Sequence, residues 1–305
     1  MNAVPEITVA VCTRNRLEGI RKCLESLMAQ NGNEPFALLV VENDVKQMAR
    51  ECVESFLPRA AEKGIEMRYF VEEEQNIAVA RNRCVRECRT PFILFIDDDE
   101  YAAEDWVEKM AEIQRRVNAD VVQGTCLPVF ADGFPNVFKN CTMYGLEAFS
   151  EDCRKVPGVA TNTTLYRVEA LTSREEPLDR TYGTSGGSDF ELSLYLDGIG
   201  KTQFKTGLAK VYEFQPLSRA RLGFYLERDF REALNTYRAI QTHCGRMGAF
   251  RFLVQRMGQK IRGTFQSLRI FPVQPKRACL SLMEILVSSL GLLCAVLGLR
   301  KRGYR

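Results

Sequence analysis

Histidine is nearly absent from this 305-residue chain, which has only His243, and none of its eleven cysteines form a CxxC pair. A Cys/His zinc site therefore has little to build on, and the irregular, odd-numbered cysteines make no disulfide framework. Free thiols in this number suit a reducing compartment. No GxGxxG follows any apolar run, which argues against a dinucleotide-dependent dehydrogenase. The opening Met1-Asn2-Ala3-Val4-Pro5 has no charged segment leading into a long apolar stretch, so it reads as the approach to a strand and not as a signal peptide. Low-complexity segments and internal repeats are lacking. Acidic residues vanish between Glu232 and Glu284, a stretch that carries Arg238, Arg246, Arg251, Arg256, Lys260, Arg262, Arg269, Lys276 and Arg277. A block of one sign seeks a polyanion. That polyanion is either nucleic acid or an anionic membrane, and the net charge of +3 argues neither for nor against nucleic acid; the partner expected from the chain as a whole is a membrane surface, with no nucleic acid.

What is present is a regular alternation. Ile7 to Cys12, Phe36 to Val41, Glu66 to Val71, Phe92 to Ile96 and Asp120 to Cys126 are apolar or β-branched runs. Between them, Leu17 to Met28, Val45 to Ala61, Asn76 to Cys88 and Glu104 to Val117 carry apolar residues at helical spacing. Continuous apolar strands separated by helices predict an α/β fold with a mostly parallel sheet covered on both faces. Trp106 reads as packing under that sheet. From Leu127 to Gly158 the pattern is irregular and suits a lid or acceptor loop. Gly158 to Tyr166 and Ala209 to Glu213 read as strands, Ser188 to Leu196 as a helix, and everything from Ser218 onward as helical. His243 reads as a helix-surface residue. Cys279 to Leu299 is overwhelmingly apolar, with Glu284 as its only charge, and long enough to cross a bilayer. Lys276-Arg277 before it and Arg300-Lys301-Arg302 after it bias both ends to the cytoplasm, so an interfacial or re-entrant helix fits better than a simple crossing.

The chemistry concentrates where Phe92 to Ile96 runs into Asp97-Asp98-Asp99. Ligands collect at the carboxyl ends of parallel strands. Three clustered acids there ask for a hard divalent cation such as Mn²⁺ or Mg²⁺, which prefers oxygen ligands and brings substrate phosphates with it. Set against the rest of the first half, this cluster resembles the DxD motif of family 2 glycosyltransferases. Thr13-Arg14-Asn15-Arg16 is similar to that family's first motif, with Cys12 where proline is usual. Val40-Val41-Glu42-Asn43-Asp44 resembles its acidic base-contacting motif, with Glu42 where Asp is usual. Asn76 with Ala80-Arg81-Asn82 resembles the third. In the second half, Ala160 to Arg167 is similar to the acceptor-side strand, and Gly186-Gly187-Ser188-Asp189-Phe190-Glu191 to the Gly-Gly-Glu-Asp segment, with Ser188 in place of Glu. The resemblance covers roughly residues 5 to 240. Val211-Tyr212-Glu213 with Pro216, Arg219 and Arg221 is similar to a bacterial exopolysaccharide branch of the succinoglycan-biosynthesis type.

The resemblance implies a GT-A fold and a nucleotide-sugar donor, with UDP-sugars the first expectation. It places the metal on Asp97 and Asp99, and the donor on Thr13, Asn15, Glu42, Asn43, Asp44, Arg81 and Asp98. Either Asp189 or Glu191 would be the catalytic base. Arg219 or Arg221 could clamp the diphosphate bidentately. One base opposite the leaving group implies inversion. The expected organisation is a catalytic domain over residues 1–215, with a donor half over 1–126 and an acceptor half over 127–215. A basic helical region over 216–305 would follow, its segment 279–299 associating with the cytoplasmic face of a membrane that carries a saccharide or lipid-linked saccharide acceptor. A nucleotidyltransferase of similar fold and a non-catalytic assembly factor are the alternatives; the absence of glycine from Thr13 to Arg16 weighs against the first, and Asp97, Asp99 and Asp189 against the second.

Overall fold

The computed structural model describes residues 4–139 and 152–299. The chain begins with β1 (Ile7–Thr13), α1 (Leu17–Met28), β2 (Phe36–Glu42), two short helices α2 (Arg50–Glu54) and α3 (Leu57–Glu62), and β3 (Met67–Val71). There follow α4 (Ile77–Glu87), β4 (Phe92–Asp97), β5 (Glu100–Ala102), α5 (Trp106–Val117) and β6 (Val121–Phe130). Beyond these come α6 (Asn136–Lys139), β7 (Arg154–Lys155), β8 (Thr164–Arg167), α7 (Val168–Leu171), α8 (Ser188–Gly198) and β9 (Gln203–Gln215). α9 (Leu222–Ile270) and α10 (Pro275–Val296) end the described residues.

One sheet runs β3-β2-β1-β4-β8-β6-β9-β5, with β7 paired to β9. Strands β3, β2, β1 and β4 are parallel; β8 is antiparallel to both β4 and β6, and β5 is antiparallel to β9. Strands β1, β2 and β4 are buried on both faces, which explains their largely apolar sequences, whereas β3 is half-buried along its length. Their side chains alternate between two cores. Val9 and Val11 join Ile20, Leu24 and Trp106 on one face, while Ala10 joins Ala78, Ala80 and Leu192 on the other. Because the strands share one direction, their carboxyl ends form a single rim. Cys12 lies beside both Val41 and Asp97, and Thr13 beside Glu42. The first, second and fourth strand motifs therefore converge with no help from long loops.

The structure departs from the sequence reading in four places. Val45 to Ala61 is not one helix, because the chain turns through Gln47 at φ 51° and breaks again before α3. Gly158 to Tyr166 is extended only from Thr164, since Thr163 at φ 48° turns the chain into the strand. β9 is much longer than Ala209 to Glu213, because it pairs with β6, β5 and β7 in turn. The expected lid over 127–158 is strand as far as Phe130, and its residues 140–151 lie outside the described residues.

The helical end is not a free membrane segment. Gly245, at φ 65° and ψ −175°, turns α9 back on itself, a conformation close to glycine-only territory. The limb 222–244, the limb 246–270 and α10 form three packed layers around Leu234, Tyr237, Ala249, Leu292 and Ala295.

Candidate active site

The three aspartates at the end of β4 sit at the parallel-strand rim, each in a different environment. Asp97 accepts from Arg81 Nη2 at 2.9 Å, and Arg81 reaches it from the second turn of α4. Asn76 caps that helix by accepting from the backbone N–H groups of Ala78 and Val79. Asp98 is 5% exposed and accepts from Thr13 Oγ1 at 2.8 Å and Arg16 Nη1 at 2.8 Å. Asp99 pairs with Arg16 at 3.0 Å and with Arg219 Nη2 at 2.8 Å. Arg219 also donates to Glu213 at 2.5 Å and to Gln215 at 3.1 Å. A ring of Arg16, Arg81 and Arg219 thus balances Asp97, Asp98, Asp99 and Glu213.

The charge states follow from these contacts. Desolvation pushes the Asp98 carboxyl up to about 6, against the opposing pull of Arg16. Asp97 is likewise raised, first by desolvation and, against the pull of Arg81, by its neighbour Asp99. Burial and the neighbouring Asp97 push the Glu100 carboxyl up to about 8. Desolvation alone would lower Arg16 and Arg81, but the carboxylates around them outweigh it and hold both firmly cationic.

The anticipated donor residues divide. Thr13 binds Asp98 and so shapes the acid cluster. Asn15 sits at φ 53° and hydrogen-bonds Asp44. Asn43 joins β2 to the start of α4, donating to the carbonyls of Glu72 and Glu74 and accepting from Asn76 N. Asp44 accepts from Lys46 N at 3.0 Å. Glu42 is fully buried, with one oxygen taken by Ala49 N and the other by Tyr69 Oη. Arg219 reaches the acid cluster, whereas Arg221 is exposed and donates to the Ser218 carbonyl.

Asp189 and Glu191 lie on one helix but face different surroundings. Asp189 is half-buried at the start of α8 and shares the electrostatic environment of Arg81 and Tyr166. Arg81 therefore feels Asp97 and Asp189 together. Glu191 is 1% exposed, held by both guanidinium nitrogens of Arg174 at 2.8 and 2.6 Å and by His243 Nε2 at 2.6 Å. His243 is thus a partner of α8 and not a surface residue. A second tie comes from Asn235, which donates to the Ser185 carbonyl at 2.8 Å. Gly187, at φ 91°, lies where a Cβ would come within 3.0 Å of the Asn235 Cβ.

Several residues of this site escaped the sequence reading. Glu100 accepts from Asp97 N at 3.0 Å and Asn162 Nδ2 at 2.8 Å, bracing the turn that carries the aspartates. Arg16, Glu213 and Arg174 complete the ion pairs. Arg16 and Glu213 stand inside the Thr13 to Arg16 and Val211 to Glu213 motifs, which gave neither a role; nothing in the sequence pointed to Glu100 or Arg174. Trp106 packs under the sheet as expected and also donates to Thr163 Oγ1 at 2.9 Å.

Among the described residues no group of three or more metal-ligating side chains converges into a cage. Two aspartates with oxygen donors nevertheless fit a hard cation that takes one or two carboxylates and fills its remaining positions with water and substrate phosphates.

The chain as a whole resembles known proteins. The family model for glycosyl transferase family 2 matches residues 8–174. The succinoglycan biosynthesis protein ExoM of Rhizobium meliloti (strain 1021) is 30% identical over 233 residues, covering 75% of this chain and 74% of that protein. The structure resembles the mannosyltransferase PcManGT from Pyrobaculum calidifontis, solved with GDP-Man and Mn²⁺, at a TM-score of 0.63 and 13% identity over 95% of this chain and 87% of that one. It also resembles S. aureus TarS in complex with UDP-GlcNAc, at a TM-score of 0.55 and 16% identity over 97% and 93% of the two chains. At such identities these structures speak to the fold, which is GT-A. By its family match and by its ExoM relative, this chain is a glycosyltransferase and belongs to glycosyl transferase family 2.

Proposed function

We propose that the protein is a metal-dependent, inverting glycosyltransferase that moves a sugar from a nucleotide-sugar, with UDP-sugars the first candidates, to a saccharide acceptor at a membrane. The observation that carries this reading is the position of Arg81. It is ion-paired to Asp97 in the acid cluster and electrostatically coupled to Asp189 on α8. One side chain therefore links the place for the donor's diphosphate to the place for a base.

Asp97 and Asp99 are the residues that would hold Mn²⁺ or Mg²⁺, and the bound cation would neutralise charge developing on the departing diphosphate. Asp98 holds Thr13 and Arg16 in place and leaves them lining the donor side. Asn15 and Asp44, at the ends of β1 and β2, flank the site for nucleoside. Glu42 supports that site from beneath, its oxygens committed to Ala49 and Tyr69. Arg16 and Arg219, which hold Asp99, have planar donor forks suited to phosphate oxygens. Asp189 takes the proton of the acceptor hydroxyl, and a positioned base contributes roughly 10²- to 10⁴-fold. Glu191 positions the helix and has no free oxygen facing the cleft.

The ExoM relative supports a role in exopolysaccharide biosynthesis, with an acceptor that is a growing saccharide or a lipid-linked one. Residues 1–215 form the catalytic domain in this reading, and residues 216–305 bind the cytoplasmic face of the membrane. Calorimetric titration with UDP, GDP and CDP, with and without Mn²⁺, tests the donor class. Metal-dependent binding of one nucleotide, lost in Asp99→Ala, is expected; equal affinity in Asp99→Ala would refute the metal site. Anomeric NMR of the product tests inversion, and retention of the donor's configuration would overturn it.

A further inference from the structure

The helical end of the chain has an inverted polarity. In a water-soluble bundle apolar side chains fill the seams and polar ones face outward. Here the packed helices keep an apolar cluster at one end, around Ala249, Leu292 and Ala295, but along the rest of the seam between α10 and the limb 246–270 polar groups meet. Lys260 Nζ donates to Ser288 Oγ at 2.5 Å and to the Ile285 carbonyl at 3.3 Å. The hydroxyls of Ser267 and Ser281 meet at 3.0 Å. On the first limb, desolvation and the like charge of Glu284, the one charge inside the apolar segment, push the Asp229 carboxyl up to about 7, against the pull of Arg228 and Lys260. Gly263 lies against Ile285, and Gly291 against the Phe230 carbonyl and Ala233.

The outer surface is the reverse. On the limb 246–270, Phe250, Val254, Met257, Ile261, Phe265 and Leu268 are 54–70% exposed. Their three- and four-residue spacing forms one stripe. On α10, Leu286, Leu290 and Leu293 are 52–70% exposed. Polar atoms inside, small residues in the seams and large apolar ones outside describe helices whose surroundings are hydrocarbon.

The arginines give the orientation. At about 100° per residue, Arg251, Arg262 and Arg269 project within about 20° of one another, along one edge of the apolar stripe. They are exposed. α10 alone, 22 residues long, could cross a bilayer at about 33 Å. The limb packed along it could not, because the exposed Arg256 and Arg262 would then lie within about 6 Å of the hydrocarbon centre. Lying flat, the same limb puts its stripe among the acyl chains and its arginines at the headgroups.

We infer that the limb 246–270 and α10 form a two-helix platform that lies in one leaflet of an anionic bilayer, its apolar face down and Arg251, Arg262 and Arg269 on the lipid headgroups. The inference rests on the membrane reading above and gives it a face, a depth and a lipid charge. The first limb of α9, which holds Asn235 and His243 against the Asp189 helix, stands between this platform and the catalytic cleft. The cleft is then fixed at a set height above the lipid surface, where a lipid-linked acceptor presents its sugar.

Flotation with preformed vesicles tests this, using phosphatidylcholine alone and phosphatidylcholine with phosphatidylglycerol at about 3:1. The full chain should float with anionic vesicles, and much less with neutral ones. Phe265→Asp with Leu286→Asp should abolish flotation while the thermal unfolding midpoint and nucleotide binding stay unchanged. Arg251→Gln, Arg262→Gln and Arg269→Gln should each weaken anionic partitioning roughly fivefold, and the three together should flatten its salt dependence. Depth is read with Leu286→Trp, at the middle of α10, and phospholipids brominated at shallow or deep positions. Stronger quenching by the shallow position is expected, and stronger quenching by the deep one would mean that α10 crosses the bilayer. The proposal is overturned if the double Asp variant floats like the parent, if the parent floats equally with both vesicle types or with neither, or if the parent is a dimer that the double Asp variant converts to monomers. Nucleotide binding without vesicle binding would sink the platform alone and leave the glycosyltransferase reading intact.

Discussion

Two carboxylates two positions apart on α8 show how little a residue's identity settles by itself. Asp189 shares the cleft with Arg81, while Glu191 is enclosed by Arg174 and His243. Asp189→Asn should keep nucleotide affinity within about twofold and lose roughly 10²- to 10⁴-fold in transfer. Glu191→Gln, in contrast, should keep turnover within about tenfold and lower the melting temperature. The opposite pattern in steady-state kinetics would assign the base to Glu191. Glu100 supplies a test by pH. Its carboxyl rises from 4.5 to about 8 on folding, so the folded state binds the extra proton between those values. The stability this provides is complete below pH 4.5 and is lost as pH rises through about 8. Thermal melts of the metal-free protein should therefore decline from pH 6 to 8, and Glu100→Gln should flatten that decline. An unchanged slope would place the effect elsewhere.

At the scale of elements, the parallel strands were legible because burial on both faces forces a continuous apolar run, as in Phe92 to Ile96. The antiparallel part was not. β8 is four residues and β9 is thirteen, and their lengths follow from which neighbours they meet. Helix α9 shows the same limit. Its first limb reads only as helix, with His243 on the surface, yet Asn235 is 4% exposed and grips the loop before α8. Asn235→Ala should destabilise by about 1–3 kcal/mol through the unpartnered Ser185 carbonyl. It should also lower kcat with little change in the donor's KM, a split that kinetics would expose. Gly245→Ala should cost about 1–3 kcal/mol by straining the backbone at the turn between limbs. A melting temperature equal to that of the parent would show that the turn opens freely.

Across the whole molecule, stability should be unevenly distributed. The double-sided core around β1, β2 and β4 is fully buried, whereas the limb 246–270 and α10 show much of their surface. Hydrogen exchange in water should be slowest in the former and fastest in the latter, and anionic vesicles should slow only the latter. Uniform protection without lipid would count against the membrane platform. The sequence alone determined the α/β alternation, the rim that gathers Thr13, Asn43 and Asp97 to Asp99, and the family, because those features rest on local periodicity and short motifs. Only the tertiary structure decided that Glu42 and Glu191 are enclosed, that His243 and Asn235 hold the α8 segment, and that the apolar tail is one layer of a bundle with a polar seam. Those outcomes depend on which side chains from distant parts of the chain arrive at the same point, and no local pattern encodes that.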